Sequence, residues 1–528
     1  MDRNVPHTWA PGDKITAKRL NEIKAALGTL VSVRAYGAVG DGVTDDTAAV
    51  LAAVAACEEG DMVYFPAGRY VITKTIFLTR NQGLQGVHTA RWAYDGGNPS
   101  SLVVGDNFEG VALVAILDKE EGNLPFEPDG IRLYDLSLEG GFKKNKDGAV
   151  MAGFRASGQT RDFRALNVSI SQFSGNGFHV LGYKRKDAQG NNTAYIHAKG
   201  FTLQRVAVWQ CQNNGFSFND LTDGVYEDCL AVANYANGFY ITGSGENQFF
   251  LCRAVFNGAA GFVYTGDHTG GIFTCCTTDR NGTHGFVHSA TGTQPLVFNG
   301  LIARRDGSKA DKKYAGLAVI GSSSSALASP CWVNSFTSAP GVDDPVNGVA
   351  GGAESPNYGI IAQNYRFLSV SGMPWGVEDS IMDYGGGVEP LQIAPTTYHA
   401  KGGVSAPIRW IEPVAPILQR GAPSLLLGPL NGTNPPAPSL APGSDSRRGT
   451  ILFGSGTSPA AGTQVTVTFA KALPVIPTIL LGSTTAGAAA RQPYATDISA
   501  SGFILRFNVA PTASQASGTY GVSYEILQ

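Results

Sequence analysis

The sequence predicts an all-β protein built as a right-handed parallel β-helix, and three observations carry that expectation. The first is a recurring phrase: Asn176-Gly177-Phe178, Asn214-Gly215-Phe216 and Asn237-Gly238-Phe239, with weaker copies at Gly261-Phe262 and Gly285-Phe286. Its glycines recur at intervals of 38, 23, 23 and 24, the near-fixed period of stacked supersecondary units. The second is alternation. Each Phe opens a run such as Phe178-His179-Val180, Phe216-Ser217-Phe218 or Phe239-Tyr240-Ile241, which reads as a strand with one buried face. The third is a column of cysteines, Cys229, Cys252 and Cys275, in phase with the phrase. If one period is one coil, like residues stack about 4.8 Å apart, the spacing of paired strands. A coil of this length leaves no room for the crossover helix of a βαβ unit, which takes about 30 residues or more. The rival at this period, a leucine-rich repeat, lacks its L-x-x-L-x-L phrase. The glycine of each phrase is read as a turn residue with positive φ, where Asn is the next most tolerated residue.

Length and composition narrow the function classes. At 528 residues the chain is long enough for two to four domains. A net charge of −3 gives no case for nucleic acid or an anionic membrane as partner. Charged residues make up 15% and glycines number 67, which suits an elongated β protein rich in turns. No apolar run follows Met1-Asp2-Arg3-Asn4, so no secretory signal is expected. No apolar run anywhere is long enough to span a bilayer, so membrane insertion is not expected either. The protein is expected to be made in a cytoplasm. The seven cysteines lie in strand-like runs without zinc-site spacing and read as reduced core thiols, so no metal and no cofactor is expected.

Four segments follow in order. Residues 1–31 read as a particle-attachment segment. After the turn at Trp9-Ala10-Pro11-Gly12-Asp13, Thr16 is a good N-cap, and Leu20, Ile23, Leu27 and Leu30 share one helical face. The phrase containing Trp9, Asp13, Ile15, Leu20, Asn21 and Ile23 resembles short N-terminal segments of bacteriophage virion proteins that dock onto the particle. A helix that merely packs on the next domain is the alternative. Residues 32–365 read as the β-helix with an N-terminal cap helix. Its opening, Val33-Arg34-Ala35-Tyr36-Gly37-Ala38-Val39-Gly40-Asp41-Gly42-Val43-Thr44-Asp45-Asp46-Thr47, leads into an Ala-rich helix and then Val63-Tyr64-Phe65-Pro66-Ala67-Gly68-Arg69-Tyr70. Thr44 or Asp45 is the expected cap. This stretch resembles the opening of the pectate-lyase-like superfamily, found in phage tailspikes and polygalacturonase-like proteins. The resemblance implies that Asp41, Asp45 and Asp46 are structural. The Gly40-Asp41-Gly42 turn lacks any G-x-G-x-x-G or G-K-[ST] continuation and is not a nucleotide loop. Residues 366–447 read as an irregular region followed, from 405, by a Pro-rich linker or a strand swapped between subunits. Residues 448–528 restart as short alternating strands, a small β-sandwich. The phrase from Val467-Thr468-Phe469 to Ser501-Gly502-Phe503 resembles the H-type-lectin-like domains of phage fibre C-termini.

Chemistry in a β-helix must sit on an outer face, because the interior is filled by apolar ladders. Glycoside cleavage needs two carboxylates about 5–9.5 Å apart. Asp223 lies eight residues after Gly215 and Glu246 eight after Gly238, so the two should stack one coil apart. Asp267, six after Gly261, is placed one coil further. These three are the candidate catalytic residues. His268 could act as a base, Arg280 could hold an anionic sugar, and Trp209, Tyr226 and Tyr235 could stack on one. Glu227-Asp228 and Asp306 are further carboxylates. The competing reading is that all these acids simply occupy turns, where Asp and Glu are common. The polygalacturonase signatures N-T-D, G-H-G and R-I-K are missing; His284-Gly285 is only half of one and Asp343-Asp344 is a lone pair. The sequence therefore points to a virion spike, homotrimeric by resemblance, that engages bacterial surface polysaccharide. It leaves two classes open, a depolymerase and a non-enzymatic adhesin, with a secreted carbohydrate-active enzyme disfavoured.

Overall fold

A computed structural model describes residues 30–88, 99–117, 127–186, 192–243, 245–267, 270–309, 313–342, 354–374, 376, 379–384, 392–393, 422–445, 448–470, 472–473 and 476–527. Positions 1–29 of the attachment segment, His268 and the Asp343-Asp344 pair lie outside the described residues. Leu30, expected on the attachment helix, instead opens the strand Leu30–Ser32, which pairs with Met62–Tyr64.

The repeat region is a three-faced parallel β-helix. One coil supplies one strand to each face. The first face stacks Phe178–Leu181, Phe216–Asn219, Phe239–Thr242, Phe262–Thr265 and Phe286–His288 in parallel register, with Phe over Phe throughout. The second face stacks Thr202–Gln204, Val225–Glu227, Asn247–Phe250, Gly271–Thr274 and Leu296–Asn299. The third stacks Ala207–Trp209, Leu230–Val232, Arg253–Val255, Thr277–Asp279 and Ile302–Arg304. Strand connections between parallel neighbours are right-handed in nearly all proteins, which is the sense expected of these coils.

The interior follows from the register. Phe216, Phe239, Phe262 and Phe286 form a stack with ring separations of 4.4, 4.5 and 5.0 Å and interplanar angles of 1°, 4° and 8°. A second stack from the second face, Phe249 on Phe273 at 4.4 Å, meets it edge-on. Offset stacks and edge-to-face contacts both suit the aromatic quadrupole.

Two asparagine ladders line the bend between the third and first faces. In one, Asn234 Oδ1 accepts from Cys211 N, Asn257 Oδ1 from Asn234 N and Nδ2, and Asn281 Oδ1 from Asn257 N and Nδ2, all at 2.9–3.1 Å. Asp306 Oδ1 ends it, accepting from Asn281 N and Nδ2. The other is built from the repeated phrase itself: Asn176 accepts from Asn214, Asn214 from Asn237, and Asn237 from Ala260 N. The amide satisfies backbone groups that an irregular buried turn would otherwise leave unmatched.

The phrase's glycine has a different cause from the one expected. None of Gly177, Gly215, Gly238, Gly261 or Gly285 has positive φ. A Cβ on Gly238 would lie 2.6 Å from Gly261 O and 2.8 Å from Ala254 Cβ, and the equivalent atoms crowd the others. The residue is glycine because the next coil's carbonyl fills the space. The cysteine column is corrected in the same way. Cys229, Cys252 and Cys276 are the buried members, whereas Cys275 is exposed at the bend. Gly271 lies nine positions after Phe262, where Asn247 lies eight after the paired Phe239, and this single insertion shifts everything downstream by one.

At the N-terminus, helix α1, Thr47–Ala55, covers the open end. Its N-cap is Asp46, whose side chain makes no cap bond and instead accepts from Val39 N at 2.6 Å and Gly40 N at 3.0 Å. Asp45 accepts from Thr47 N and Asp41 from Val43 N and Thr44 N. The aspartates of the opening thus hold turns.

The stretch 366–447 is less linker-like than the sequence suggested. Leu368–Met373, Asp379–Asp383 and Gln392–Ile393 continue the solenoid. Ser424–Leu427 and Ser439–Leu440 already belong to the C-terminal unit. That unit is two four-stranded antiparallel sheets around a separate core that includes Phe453, Val465, Phe503, Phe507, Tyr520 and Val522.

Two substitutions test this account. Gly238→Ala should cost about 1–3 kcal/mol by overpacking. Asn257→Ala should cost roughly 1–3 kcal/mol for each buried group it leaves unmatched. Denaturant unfolding followed by circular dichroism measures both. Wild-type midpoints would show that neither ladder bears on stability.

Candidate functional site

The bend from the first to the second face is a column of left-handed residues. Gly130, Asp162, Gly200, Asp223, Glu246 and Gly270 occupy it coil by coil, with φ between 48° and 103°. Backbone bonds fix the alignment: Gly130 N donates to Arg161 O, Asp162 N to Lys199 O, Gly200 N to Thr222 O, Asp223 N to Gly245 O and Glu246 N to Gly270 O. A glycine or a short acid that tolerates positive φ is the natural occupant, and Asp223 and Asp162 fit that rule. Glu246 does not gain from it. Yet bulky side chains take equivalent bend positions elsewhere, Arg205, Leu251 and Phe256 among them, so backbone conformation does not single Glu246 out.

The register places Asp223 and Glu246 on neighbouring coils, and both are exposed. Asp223 Oδ2 accepts from Thr222 Oγ1 at 3.0 Å. Asp267 is also exposed but stands outside their column. Glu246 pairs with Gly270, three residues beyond Asp267, and Asp267 itself bridges to Thr291. Counted from Gly261, Asp267 already falls two positions short, six residues against eight, and the residue inserted between Thr265 and Gly271 widens the gap to three.

The expected sugar-stacking residues divide. Tyr226 is fully buried: it points inward between Phe218 and Phe249 at 4.8 and 4.5 Å, and its hydroxyl donates to Asn247 Oδ1. Trp209 is 3% exposed and packs with Ala207, Leu230 and Val232 in a cluster apart from the main core. Neither offers a ring to a ligand. Tyr235 is 63% exposed, but it lies on the opposite bend, between the third and first faces. Arg280 lies on that bend too, over the Phe256 ring at 5.1 Å and 3.4 Å from Asp279 Oδ2. Asp279 is nearly buried and also receives Arg304 and a two-pronged contact from Arg305, so these cations serve an internal ion network. Of the expected site residues among those described, the structure unites only Asp223 and Glu246.

The remaining acids and His284 have structural partners. Glu227 accepts from Gln204 Nε2 at 2.9 Å. Asp306 is fully buried and takes Thr278 Oγ1 at 2.6 Å besides the asparagine ladder. Burial pushes its carboxyl up to about 7, against the hydrogen bonds from Thr278 and Asn281. His284 accepts from Ala315 N at Nδ1, and burial lowers it to about 4.

A cleft of about 470 Å³ lies away from this bend, on the C-terminal unit, lined by Arg448, Thr450, Leu480, Ser523 and Glu525 among others. The carboxylate pair instead sits on an open surface, which suits a polymer passing across it more than a small molecule enclosed by it. Among the described residues no cluster of His, Cys, Asp and Glu has the arrangement to hold a metal ion, and no helix is long and apolar enough to cross a membrane.

Residues 30–116 match the family model described as rhamnogalacturonase A/epimerase, pectate lyase-like. The chain is 26% identical over 226 residues to mannuronan C5-epimerase AlgE4 of Azotobacter vinelandii, covering 40% of this chain and 36% of that protein. The chain thus spans about a third of that relative's length. Among solved structures, the A-module of mannuronan C-5 epimerase AlgE6 from the same organism is 18% identical, with TM-score 0.49, over 70% of this chain and all of that one. The Dettilon tailspike protein is 12% identical, with TM-score 0.48, over 98% of this chain and 97% of that one.

The buried Asp306 makes stability depend on pH. Its folded-state value lies above the ordinary ~4 of a free Asp, so the folded protein holds a proton that the unfolded chain has lost between about pH 4 and 7. That contribution is complete below about pH 4 and is lost as pH rises through 7. The thermal midpoint should therefore fall between pH 4 and 8, and Asp306→Asn should flatten the fall. An equal slope in the variant would remove Asp306 as its source.

Proposed function

We propose, from a pectate-lyase-like β-helix that stacks two exposed carboxylates at an open bend, that this protein is a virion spike that binds host cell-surface polysaccharide and cleaves it at Asp223 and Glu246. The observation that carries the reading is the register itself. It puts two carboxylates on adjacent coils, about 4.8 Å apart along the backbone, near the spacing that glycoside chemistry uses. In that chemistry one carboxyl protonates the leaving oxygen and the other acts as nucleophile or activates water. A long solenoid with an open bend suits a polymeric substrate. The curated relative, by its name, acts on the polysaccharide mannuronan.

Residues 1–31 would attach the spike to the particle, and the C-terminal sandwich would add a lectin-like contact. The protein would be made in the host cytoplasm and assembled there as a homotrimer. On the outer column of the second face, Ile272, Val297 and Trp332 follow one another, with Ile272 and Trp332 each more than a third exposed, a short apolar strip of the kind that subunits cover. One observation favours binding without cleavage. Neither carboxylate is enclosed, whereas glycosidases keep their acid in a walled pocket.

Incubation with purified host capsule, followed by sizing of the product, separates these readings. A depolymerase shortens the chains, and Asp223→Asn and Glu246→Gln should each lower the rate by at least about 100-fold, the lower end of a general acid–base contribution, while capsule binding persists. Unshortened capsule that still binds the protein would leave an adhesin. Mass measurement of the purified protein checks the trimer.

A further inference from the structure

We propose that the two coils preceding Asp223 form a cationic subsite for an anionic polysaccharide. The inference rests on the polysaccharide reading above and names the class of glycan.

Four exposed cations occupy these coils: Arg161 and Arg164 on one, Lys199 and Arg205 on the next. Arg161 bridges directly to Lys199, and Arg164 pairs with Thr202 three residues before Arg205. Arg205 itself sits at the next bend with φ 55°. The four therefore span the second face from its first bend to its second. None of them forms an ion pair or a side-chain hydrogen bond among the described residues. Some cations elsewhere on the surface do: Arg69 meets Glu139 at 2.8 Å, Lys74 meets Glu109 at 3.2 Å and Lys143 meets Asp106 at 2.9 Å. Arg132, one coil earlier in the Arg164 column, gives its guanidinium to the carbonyls of Gly60 and Asn81.

The charge is segregated in the sequence as well. Residues 158–219 hold seven cations and two acids, a net +5 in a chain of net −3. Three of the seven, Lys184, Arg185 and Lys186, fall on the strand Tyr183–Lys186, which pairs antiparallel with Asn192–Ile196 as a hairpin inserted on the Lys199 coil. The hairpin leaves the coil after Leu181 and rejoins it at Ala198, so it emerges at the bend that carries the carboxylates. Asp162 is the one acid on the two coils outside the hairpin. Immediately beyond, residues 220–228 hold four acids and no cation.

Stacking like charges one strand spacing apart is unfavourable, about 1 kcal/mol per close pair in water. A parallel in-register solenoid could relieve it by placing an acid on the adjacent coil, as it does at Lys74 and Glu109, which are register partners. Here Asp129 is the register partner of Arg161 on the preceding coil and Asp228 lies beside Arg205 on the following one, yet neither pair closes into an ion pair among the described residues. The four cations stay exposed, and Arg161 and Lys199 stay adjacent, an arrangement that a ligand carrying regularly spaced negative charge would neutralise. A glycan anchored there by its anionic groups would run along the solenoid axis. Its next units would lie over Asp223 and Glu246, because Thr222 and Asp223 directly follow Lys199 and Gly200 in the stack.

The test uses the full-length protein and a variant with Arg161→Gln, Arg164→Gln, Lys199→Gln and Arg205→Gln. All four side chains are exposed, so the variant should keep the wild-type thermal midpoint, which is checked first; if the combined variant does not fold, the four single substitutions replace it. Binding is measured by calorimetry to polygalacturonate, to neutral dextran and to purified host capsule. The expected result is binding of polygalacturonate that weakens with added NaCl, at least tenfold weaker binding by the combined variant, and no binding of dextran. Binding of polygalacturonate that the variant fully retains, or equal binding of dextran, overturns the cationic subsite. Binding of a neutral host capsule with equal affinity by both proteins also overturns it, but leaves the polysaccharide reading standing. Failure to bind any of the three overturns both.

Discussion

Each coil of this solenoid must return to within one hydrogen bond of its own start. That constraint shapes everything else in the repeat region. Parallel in-register pairing satisfies the backbone only if equivalent residues lie over one another, so whatever a position holds is multiplied along the axis. Aromatic rings then stack on rings, amides on amides and thiols on thiols. A favourable pair is repeated several times over, and an unfavourable one would be too. The same multiplication explains the glycines, since a Cβ at Gly238 would strike the carbonyl of Gly261 and one at Gly261 the carbonyl of Gly285.

The bends answer a second demand. Three faces need three changes of direction, and a left-handed residue makes each one in a single step. Such residues cost about 1–2 kcal/mol when they are not glycine. Gln210, Ala233, Phe256, Arg280 and Arg305 nonetheless occupy one bend column. The ladder bonds that each coil makes to the next over-determine the conformation and hold it. The proposed site lies at one of these bends, where side chains are released from the alternation of the strands. Asp223 and Glu246 are exposed there, beside strands whose alternate residues are buried.

Much of this was legible in the residues. The period, the strand runs and the pairing of Asp223 with Glu246 all follow from counting along the Asn-Gly-Phe phrase. Counting failed where one residue was added. The insertion before Gly271 moved the buried thiol from Cys275 to Cys276. Asp267 missed the carboxylate column because it lies six residues after its glycine where Asp223 and Glu246 lie eight, and the insertion added a third position to that gap. Side-chain direction was harder to read. Tyr226 and Trp209 stand in very short strands flanked by bends, too short for alternation to show which face looks inward. The ladder Asn234, Asn257, Asn281, Asp306 has intervals of 23, 24 and 25 and was countable, but asparagine is so ordinary in turns that nothing marked these as interior. The cationic coils were visible as a local excess of Lys and Arg. Their meaning depended on knowing that Arg161, Arg164, Lys199 and Arg205 are all exposed and that none of them is taken up in an ion pair among the described residues.

By itself, the sequence determined that the repeat region is a β-helix with short coils of nearly constant length, followed by a separate β-sandwich; that α1 closes one end was implied only by the resemblance of the opening. The repeat and the sandwich are written in period, alternation and local turn chemistry, all of which are short-range. The tertiary structure alone decided which members of each coil are buried, which acids stand in one column and which cations stay exposed side by side. Those depend on the register between coils, and register is a contact between residues a full coil apart in the chain. A single inserted residue changes it without changing any local pattern.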